Sequence, residues 1–124
     1  MIEILVPGAY TTIQDLGRPG HEIHGMPGSG AFDPFLASVA NRIAGNAPEA
    51  PLLEFALTGP SLRFHHDAVV ALASFHARYL LNGSAAPEFQ PFHAPAGSSL
   101  EFQTMQGWFG YLSFAGGISA EMVL

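Results

Sequence analysis

Glycine and proline divide this chain of 124 residues into short segments, and this punctuation constrains its fold more than any other feature. The sequence holds 14 glycines and 10 prolines, spread along its whole length, so few stretches are long enough for a helix. Short apolar segments that end at turn residues are typical of β-strands. The sequence therefore predicts an all-β, mainly antiparallel domain.

Individual strands follow from these segments. The predicted strands are residues 2–6, 52–57, 62–65, 68–73, 78–81, 99–103 and 109–115, with a weaker one at 88–93 that Pro91 interrupts. We expect 62–65 and 68–73 to form a hairpin that turns at His66-Asp67. Asn82-Gly83 is the strongest hairpin signal because both residues tolerate positive φ. The apolar segment 109–115 is expected to be a buried central strand.

One short helix is predicted near residues 34–44. Asp33 is a good N-cap, and Pro34 falls at the first helical position, where its missing N–H costs nothing. Gly45 follows as the expected C′ residue in the left-handed conformation. The apolar residues of the segment share one face by their i, i+3, i+4, i+7 spacing: Leu36, Val39, Ala40 and Ile43.

Charge and cysteine content exclude several classes of protein. Four arginines and no lysine stand against ten acids, for a net charge of −6, which excludes a nucleic-acid face and an electrostatic membrane anchor. The absence of cysteine excludes thiolate catalysis and Cys-based metal sites. No apolar stretch approaches the ~20 residues of a membrane span, and no signal peptide is visible, so we expect a cytoplasmic protein. Only 11% of residues are charged, so we expect a partner or a second copy to cover part of the surface.

The first candidate site is the segment 11–20, where Thr12, Gln14, Asp15 and Arg18 lie close together. Arg18 offers a planar fork for a carboxylate or phosphate oxygen, and Asp15 can orient a substrate or act as a base. The alternative is structural. Asp15 and Arg18 would then form a surface ion pair, while Gln14 ties down the loop backbone.

The loop 25–33 and the histidines are weaker candidates. Ser29 and Gly30 precede the helix, where backbone N–H groups can bind an anion, but the loop matches neither the dinucleotide nor the P-loop motif. A capped turn explains it almost as well. The six histidines show no spacing of a metal site. His76 follows an apolar strand and is expected to be partly buried, as a base or as a hydrogen-bonded core histidine.

The order of several short motifs resembles one protein family. It is similar to the N-terminal part of the biotin-dependent carboxyltransferase subdomain A/B family, which includes allophanate hydrolase subunit 2, the C-type subunit of bacterial 5-oxoprolinase, and KipA. The resemblance implies a cyclophilin-like β-barrel, incomplete here, with residues 1–124 as the N-terminal portion of a longer module. The motifs are TTIQDLGR at 11–18, SGAFD at 29–33, Ala40-Asn41, Gly45-Asn46, Leu53-Glu54, Gly59-Pro60, Tyr111-Leu112 and Gly116-Gly117-Ile118.

The same resemblance implies a function. It suggests a subunit of an ATP-dependent 5-oxoprolinase complex, which opens 5-oxo-L-proline to L-glutamate and uses ATP through the complex. The implied partner is a KipI-like protein, the B-type subunit of 5-oxoprolinase, without which the chain is expected to be inactive; a homodimer is an alternative. Other branches imply a biotin-dependent carboxyltransferase of urea-type metabolism, like allophanate hydrolase subunit 2, or a non-catalytic KipA-like regulator.

Site roles follow from this resemblance, with two departures. Asp15, Arg18 and His76 are the expected catalytic residues, and no metal is expected. The expected substrate-binding residues are Thr12, Gln14, Ser29 and Gly30. His76 stands where relatives tend to have an acid, and Phe109 stands where they tend to have an arginine. This double change indicates either an internal ion pair lost as a unit or a more apolar ligand.

Overall fold

A computed structural model describes residues 1–14 and 31–118, together with the backbone of 122–123. A single helix and eleven strands make up this part of the chain. In chain order they are β1 (Ile2–Val6), β2 (Tyr10–Gln14), α1 (Pro34–Ile43), β3 (Leu52–Ala56), β4 (Ser61–Phe64), β5 (Ala68–Ser74), β6 (Ala77–Leu81), β7 (Ser84–Ala85), β8 (Phe92–Ala94), β9 (Ser99–Met105), β10 (Phe109–Phe114) and β11 (Met122–Val123).

The strands form two sheets. Sheet 1 has the order β11-β1-β4-β9-β6-β7, and sheet 2 has the order β2-β3-β10-β5-β8. Every pairing is antiparallel except that of β1 with β11. The predicted mainly antiparallel β fold with one helix is therefore confirmed. Within the described ranges, the two sheets are not closed by hydrogen bonds into one barrel.

Sheet 2 is the middle layer and is buried on both faces. Alternate residues of its central strands point to opposite sides, so Leu53, Phe55 and Leu112 face sheet 1 while Ala73 and Tyr111 face α1. Burial on both faces explains the long apolar run of β10. The prediction that this segment is a buried central strand is confirmed. Gly110 leaves room for the Phe55 ring, because a Cβ at this position would lie 2.6 Å from Phe55 Cζ.

Helix α1 begins and ends as predicted but buries a different face. Asp33 Oδ1 accepts a hydrogen bond from Leu36 N at 3.0 Å, and Gly45 has φ 84° after the last turn. Val39 and Ile43 are only half-buried. The helix packs on the sheet through the adjacent face instead, because the small side chains of that face allow a close approach. The buried residues are Leu36, Ala37, Ala40, Asn41 and Ala44. No helix in the described part of the chain is long and apolar enough to cross a membrane.

Turn predictions succeeded where both strands stay in one sheet. Asn82 and Gly83 have φ values of 49° and 85°, and β6 and β7 pair around them. The predicted hairpin at His66-Asp67 is wrong, because β4 belongs to sheet 1 and β5 to sheet 2. The chain crosses between layers there, which a local turn signal cannot show. Residues 11–14, expected as part of a loop, belong to the edge strand β2.

Candidate functional site

A row of polar side chains crosses sheet 2 beside α1. Glu54 on β3 pairs in register with Thr12 on β2 and with Tyr111 on β10. Gln14 lies two residues beyond Thr12 and therefore on the same face. We call these four residues, Thr12, Gln14, Glu54 and Tyr111, the open polar cluster.

Glu54 is the centre of this cluster and is only 7% exposed. Its Oε2 accepts hydrogen bonds from the Tyr111 hydroxyl at 2.6 Å and from Phe32 N at 2.7 Å. Within residues 1–14 and 31–118, its Oε1 has no hydrogen-bond partner. The only side-chain oxygen or nitrogen of these residues that is both sealed from solvent and unpartnered is Thr11 Oγ1. Glu54 therefore holds one carboxylate oxygen in two hydrogen bonds and keeps the other free of bonds to the rest of residues 1–14 and 31–118.

Tyr111 orients this carboxylate. Its hydroxyl donates to Glu54 and accepts from Asp33 N at 2.9 Å. Burial, followed by the hydrogen bond to Glu54, raises the pKa of Tyr111 well above its ordinary value. The phenol therefore stays protonated at neutral pH and holds Glu54 Oε2. The bond from Asp33 N also ties the start of α1 to the sheet.

Thr12 and Gln14 lie on the edge strand, and both are half-buried. Gln14 Nε2 donates to Thr12 Oγ1 at 2.9 Å, which leaves the Thr12 hydroxyl proton able to donate. Hydroxyl and amide donors on β2 thus stand one strand, roughly 4.8 Å, from the carboxylate on β3. A planar amide needs a donor for its carbonyl and an acceptor for its N–H, and the cluster supplies both.

The structure brings together two of the predicted site residues. Thr12 and Gln14 are in the open polar cluster, whereas Asp15, Arg18, Ser29 and Gly30 lie outside the described residues.

The expected burial of His76 is wrong. It is exposed in the turn between β5 and β6, with φ 57°, because β5 already ends at Ser74. Its imidazole has no hydrogen bond to the open polar cluster. Its predicted catalytic role remains untested.

Sequence reasoning gave no role to Glu54 or Tyr111, although both lie in motifs that carried the resemblance. A signal was present for Glu54, since it is a lone carboxylate inside the apolar segment 52–57. Such a residue is costly to bury unless it has partners. Tyr111 gave no comparable signal, because a tyrosine in an apolar strand is common in a core.

Aromatic rings border the open polar cluster. The ring of Phe109 lies 5.9 Å from that of Phe32, 6.0 Å from that of Phe75 and 6.0 Å from that of Tyr111, between centroids. Phe109 and Phe75 belong to adjacent chain segments at one end of sheet 2, so the two departures noted in the sequence, at 76 and 109, lie in neighbouring parts of the fold.

The described residues do not form a metal or triphosphate site. No group of three or more His, Cys, Asp or Glu among them can hold a metal ion. The three arginines in these ranges, Arg42, Arg63 and Arg78, are exposed on α1, β4 and β6 respectively. They are not gathered in one place, and phosphate binding needs convergent cations or backbone N–H groups.

Comparison with known proteins finds consistent relatives. The family model of the carboxyltransferase domain, subdomain A and B, matches residues 24–124. Urea amidolyase of Saccharomyces cerevisiae is 40% identical over 125 residues, which is 99% of this chain and 7% of that protein. The C-type subunit of 5-oxoprolinase from Escherichia coli is 34% identical over 125 residues, 100% of this chain and 40% of the relative. The crystal structure of TTHA0988 matches with a TM-score of 0.84 and 39% identity, covering 95% of this chain and 45% of that one.

Proposed function

This chain belongs to the family of the carboxyltransferase domain, subdomain A and B, and we propose that it serves in an ATP-dependent 5-oxoprolinase complex that cleaves 5-oxo-L-proline to L-glutamate. The observation that carries the proposal is the Glu54 carboxylate held beside the Thr12 and Gln14 donors, in a chain that aligns throughout with the C-type subunit of 5-oxoprolinase. The chain spans 40% of that relative's length.

The open polar cluster is complementary to a lactam. The ring amide of 5-oxoproline presents a carbonyl acceptor and an N–H donor in one plane. Glu54 Oε1 would accept from the N–H, while Thr12 and Gln14 would donate to the carbonyl oxygen. Donors placed where negative charge develops on a carbonyl oxygen stabilise the transition state of its hydrolysis.

The remaining roles are proposals by resemblance. Arg18 would hold the substrate carboxylate or a phosphoryl oxygen, and Asp15 would orient the substrate or act as base. Ser29 and Gly30 would add backbone donors. The catalytic role of His76 stays a prediction, which His76→Ala would test in the assay below.

ATP would act through a partner. Because the described arginines do not converge, no ATP contact is assigned to them. When bound by the complex, ATP supplies a phosphoryl group that makes the lactam carbonyl a better electrophile. We propose a KipI-like protein, the B-type subunit of 5-oxoprolinase, as the other component, and we expect the chain to be cytoplasmic and to be inactive alone.

A second candidate is carboxyl transfer to a urea-type nitrogen, and the 40% identity to urea amidolyase favours it. Urea presents the same pair of carbonyl and N–H groups as a lactam, so the open polar cluster suits it equally. Biotin would then carry the carboxyl group, and its cyclic urea offers the same pair of groups. A KipA-like regulator that only binds its partner is the non-catalytic alternative.

The test is reconstitution of the chain with a KipI-like protein and the remaining subunits of a 5-oxoprolinase complex. We expect glutamate to form from 5-oxoproline only when ATP and all subunits are present. Glu54→Gln should lower this rate about 100-fold, since it removes a charge that acts on the reacting group. Arg18→Ala should abolish it, and Arg63→Ala, an exposed arginine on β4, is the matched control.

Three results would redirect the assignment. Unchanged turnover by Arg18→Ala and Glu54→Gln would refute the site. Carboxylation of urea with a biotinylated carrier, without glutamate release, would favour the second candidate. Partner binding with neither activity would favour a regulator.

A further inference from the structure

One end of the protein is formed by three turns that meet: those from β1 to β2, from β3 to β4 and from β9 to β10. Ala9 N donates a hydrogen bond to Thr58 Oγ1 at 2.8 Å, which joins the first turn to the second. Leu57 N donates to the carbonyl oxygen of Trp108 at 2.8 Å, which joins the second turn to the third. The three turns therefore form one continuous surface.

Large apolar side chains lie exposed on this surface. Trp108 is 77% exposed and Leu57 is 56% exposed. Val6 and Tyr10, which flank the first turn at the ends of β1 and β2, are also more than half exposed. We call Val6, Tyr10, Leu57 and Trp108 the apolar end. Together these side chains present roughly 500 Å² of apolar surface.

The backbone of Leu57 is strained in a way that packing of the core does not explain. Its φ is 70°, in the left-handed region that glycine, asparagine and aspartate adopt most easily and that a bulky side chain rarely adopts. The side chain that is kept at this cost is exposed rather than buried. Strained residues of this kind cluster at functional surfaces, so we infer that the apolar end makes a contact.

The apolar end is also free of charge. Residues 4–14, 55–62 and 102–118, which include all three turns, contain no Asp, Glu, Arg, Lys or His. The whole chain, in contrast, has a net charge of −6, so two copies repel each other in most orientations. At this end two copies can meet without bringing like charges together.

We propose that the apolar end binds the apolar end of a second copy of this chain across a twofold axis. A twofold interface uses the same surface on both partners, so that surface must be complementary to itself. A neutral apolar surface meets this condition, whereas an acidic surface does not. With the uncharged polar groups of the three turns, the apolar end approaches the ~800 Å² per partner that a stable interface buries. The inference goes beyond the proposed function and does not rest on it.

A single tryptophan makes this contact measurable. Trp108 is the only tryptophan in the sequence, so the tryptophan fluorescence of the purified chain reports on the apolar end alone. As the protein concentration rises from nanomolar to submillimolar, we expect the emission to shift to shorter wavelength and its quenching by acrylamide to weaken. Sedimentation velocity over the same range should show the chain of 13.1 kDa converting to a species of twice that mass.

Leu57→Asp separates the contact from folding. Aspartate tolerates positive φ better than leucine does, so the variant should fold without loss of stability. Two opposed charges in the interface should raise the dissociation constant of the dimer at least about tenfold. The matched control is Val69→Asp, which adds the same charge at an exposed valine on β5, beside Ala115 and beyond the other end of β10. It should leave the dissociation constant nearly unchanged.

Three results would overturn the inference. A monomer at every concentration, with constant Trp108 emission, would refute the second copy. A dimer that forms equally well with Leu57→Asp would refute the apolar end as its interface; if this variant fails to fold by circular dichroism, Trp108→Ser supplies the same test by sedimentation. A monomer whose Trp108 emission shifts only when the KipI-like protein is added would assign the apolar end to that partner instead.

Discussion

The two ends of helix α1 meet polar clusters on the same face of sheet 2, and the clusters differ in how completely their hydrogen bonds are satisfied. The C-terminal end has what we call the closed polar cluster, Asn41, Asn46 and Ser113. The N-terminal end has the open polar cluster around Glu54.

In the closed polar cluster, every hydrogen-bonding group of Asn41 is used. Its Nδ2 donates to the carbonyl oxygens of Pro48 and Ala50 at 3.0 and 2.8 Å. Its Oδ1 accepts from Ser113 Oγ at 2.7 Å. Asn41 and Ser113 are both fully buried, so this amide fixes the loop after the helix from inside the protein.

Asn46 completes the closed polar cluster. Its Nδ2 donates to Ser113 Oγ at 3.2 Å and to the Phe114 carbonyl at 2.7 Å, and its Oδ1 accepts from Gly116 N at 2.9 Å. No side-chain group of these three residues is left for a ligand. A fully satisfied buried network specifies one arrangement of the chain.

The open polar cluster differs because the other residues of 1–14 and 31–118 make no hydrogen bond to Glu54 Oε1 and accept none from the Thr12 hydroxyl. It also lies against an edge strand, β2, rather than between a helix and a loop. The difference shows how one sheet face can serve stability at one end and recognition at the other. Substitutions in the closed cluster should unfold the protein, and those at the rim of the open cluster should change binding.

The largest expected loss of stability is at Asn41. Asn41→Leu leaves two partly buried carbonyl oxygens and the buried Ser113 hydroxyl without their partner, so we expect the free energy of unfolding to fall by about 3 kcal/mol. Urea denaturation followed by circular dichroism measures it. Arg42→Gln, on the exposed side of the same turn, should change it by less than ~0.5 kcal/mol. A loss below ~1 kcal/mol for Asn41→Leu would show that the closed cluster is not structural.

Tyr111 belongs to the open cluster and also ties down α1, so its effect should be intermediate. Tyr111→Phe keeps the ring against Phe109 but removes the bonds to Glu54 and Asp33 N. We expect a loss of about 2 kcal/mol at pH 7, since one of these bonds is to a charged group. The control is Tyr10→Phe, at an exposed tyrosine on β2, which should have no effect on unfolding.

The same variant has a signature at alkaline pH. Because the pKa of Tyr111 is raised in the folded state, its stabilising effect is complete below the ordinary value near 10 and is lost as the pH rises above it. Stability should then fall by up to ~1.4 kcal/mol per pH unit for this group. Burial also raises the pKa of Tyr79, so Tyr111→Phe should reduce the alkaline slope without removing it. Equal slopes in both proteins would contradict the raised pKa.

The smallest effect on stability is expected at Gln14, where function should respond instead. Gln14→Ala removes one hydrogen bond to Thr12 on a half-buried edge strand, so unfolding should change by less than ~0.5 kcal/mol. Glutamate release should fall about tenfold, which corresponds to about 1.4 kcal/mol. Ser84→Ala, on the exposed strand β7, is the control. If Gln14→Ala were destabilised but fully active, Gln14 would have a structural role like that of the closed polar cluster, and the contrast between the two clusters would fail.

Features set by neighbours in sequence were predictable. The N-cap at Asp33, the end of α1 at Gly45 and the Asn82-Gly83 turn depend on backbone conformations that a few adjacent residues fix. The buried face of α1 was not predictable in the same way. Asn41 is buried because Ser113, 72 residues later in the chain, donates a hydrogen bond to its side chain. No local sequence pattern marks that pairing.

In the candidate site too, some features follow from nearby residues in the sequence and others from residues far apart in it. The side-chain chemistry of Thr12 and Gln14 marks them in the sequence, but their turn-rich surroundings predict a loop where the structure has the strand β2. Glu54 was visible as an acid in an apolar segment, but its role depends on Tyr111, which is 57 residues away in sequence. Alternation and turn chemistry act over a few residues and so were determined by the sequence itself. Which oxygen of Glu54 is bound and which remains open was decided only by tertiary structure, because sheet register and the docking of α1 bring distant strands together.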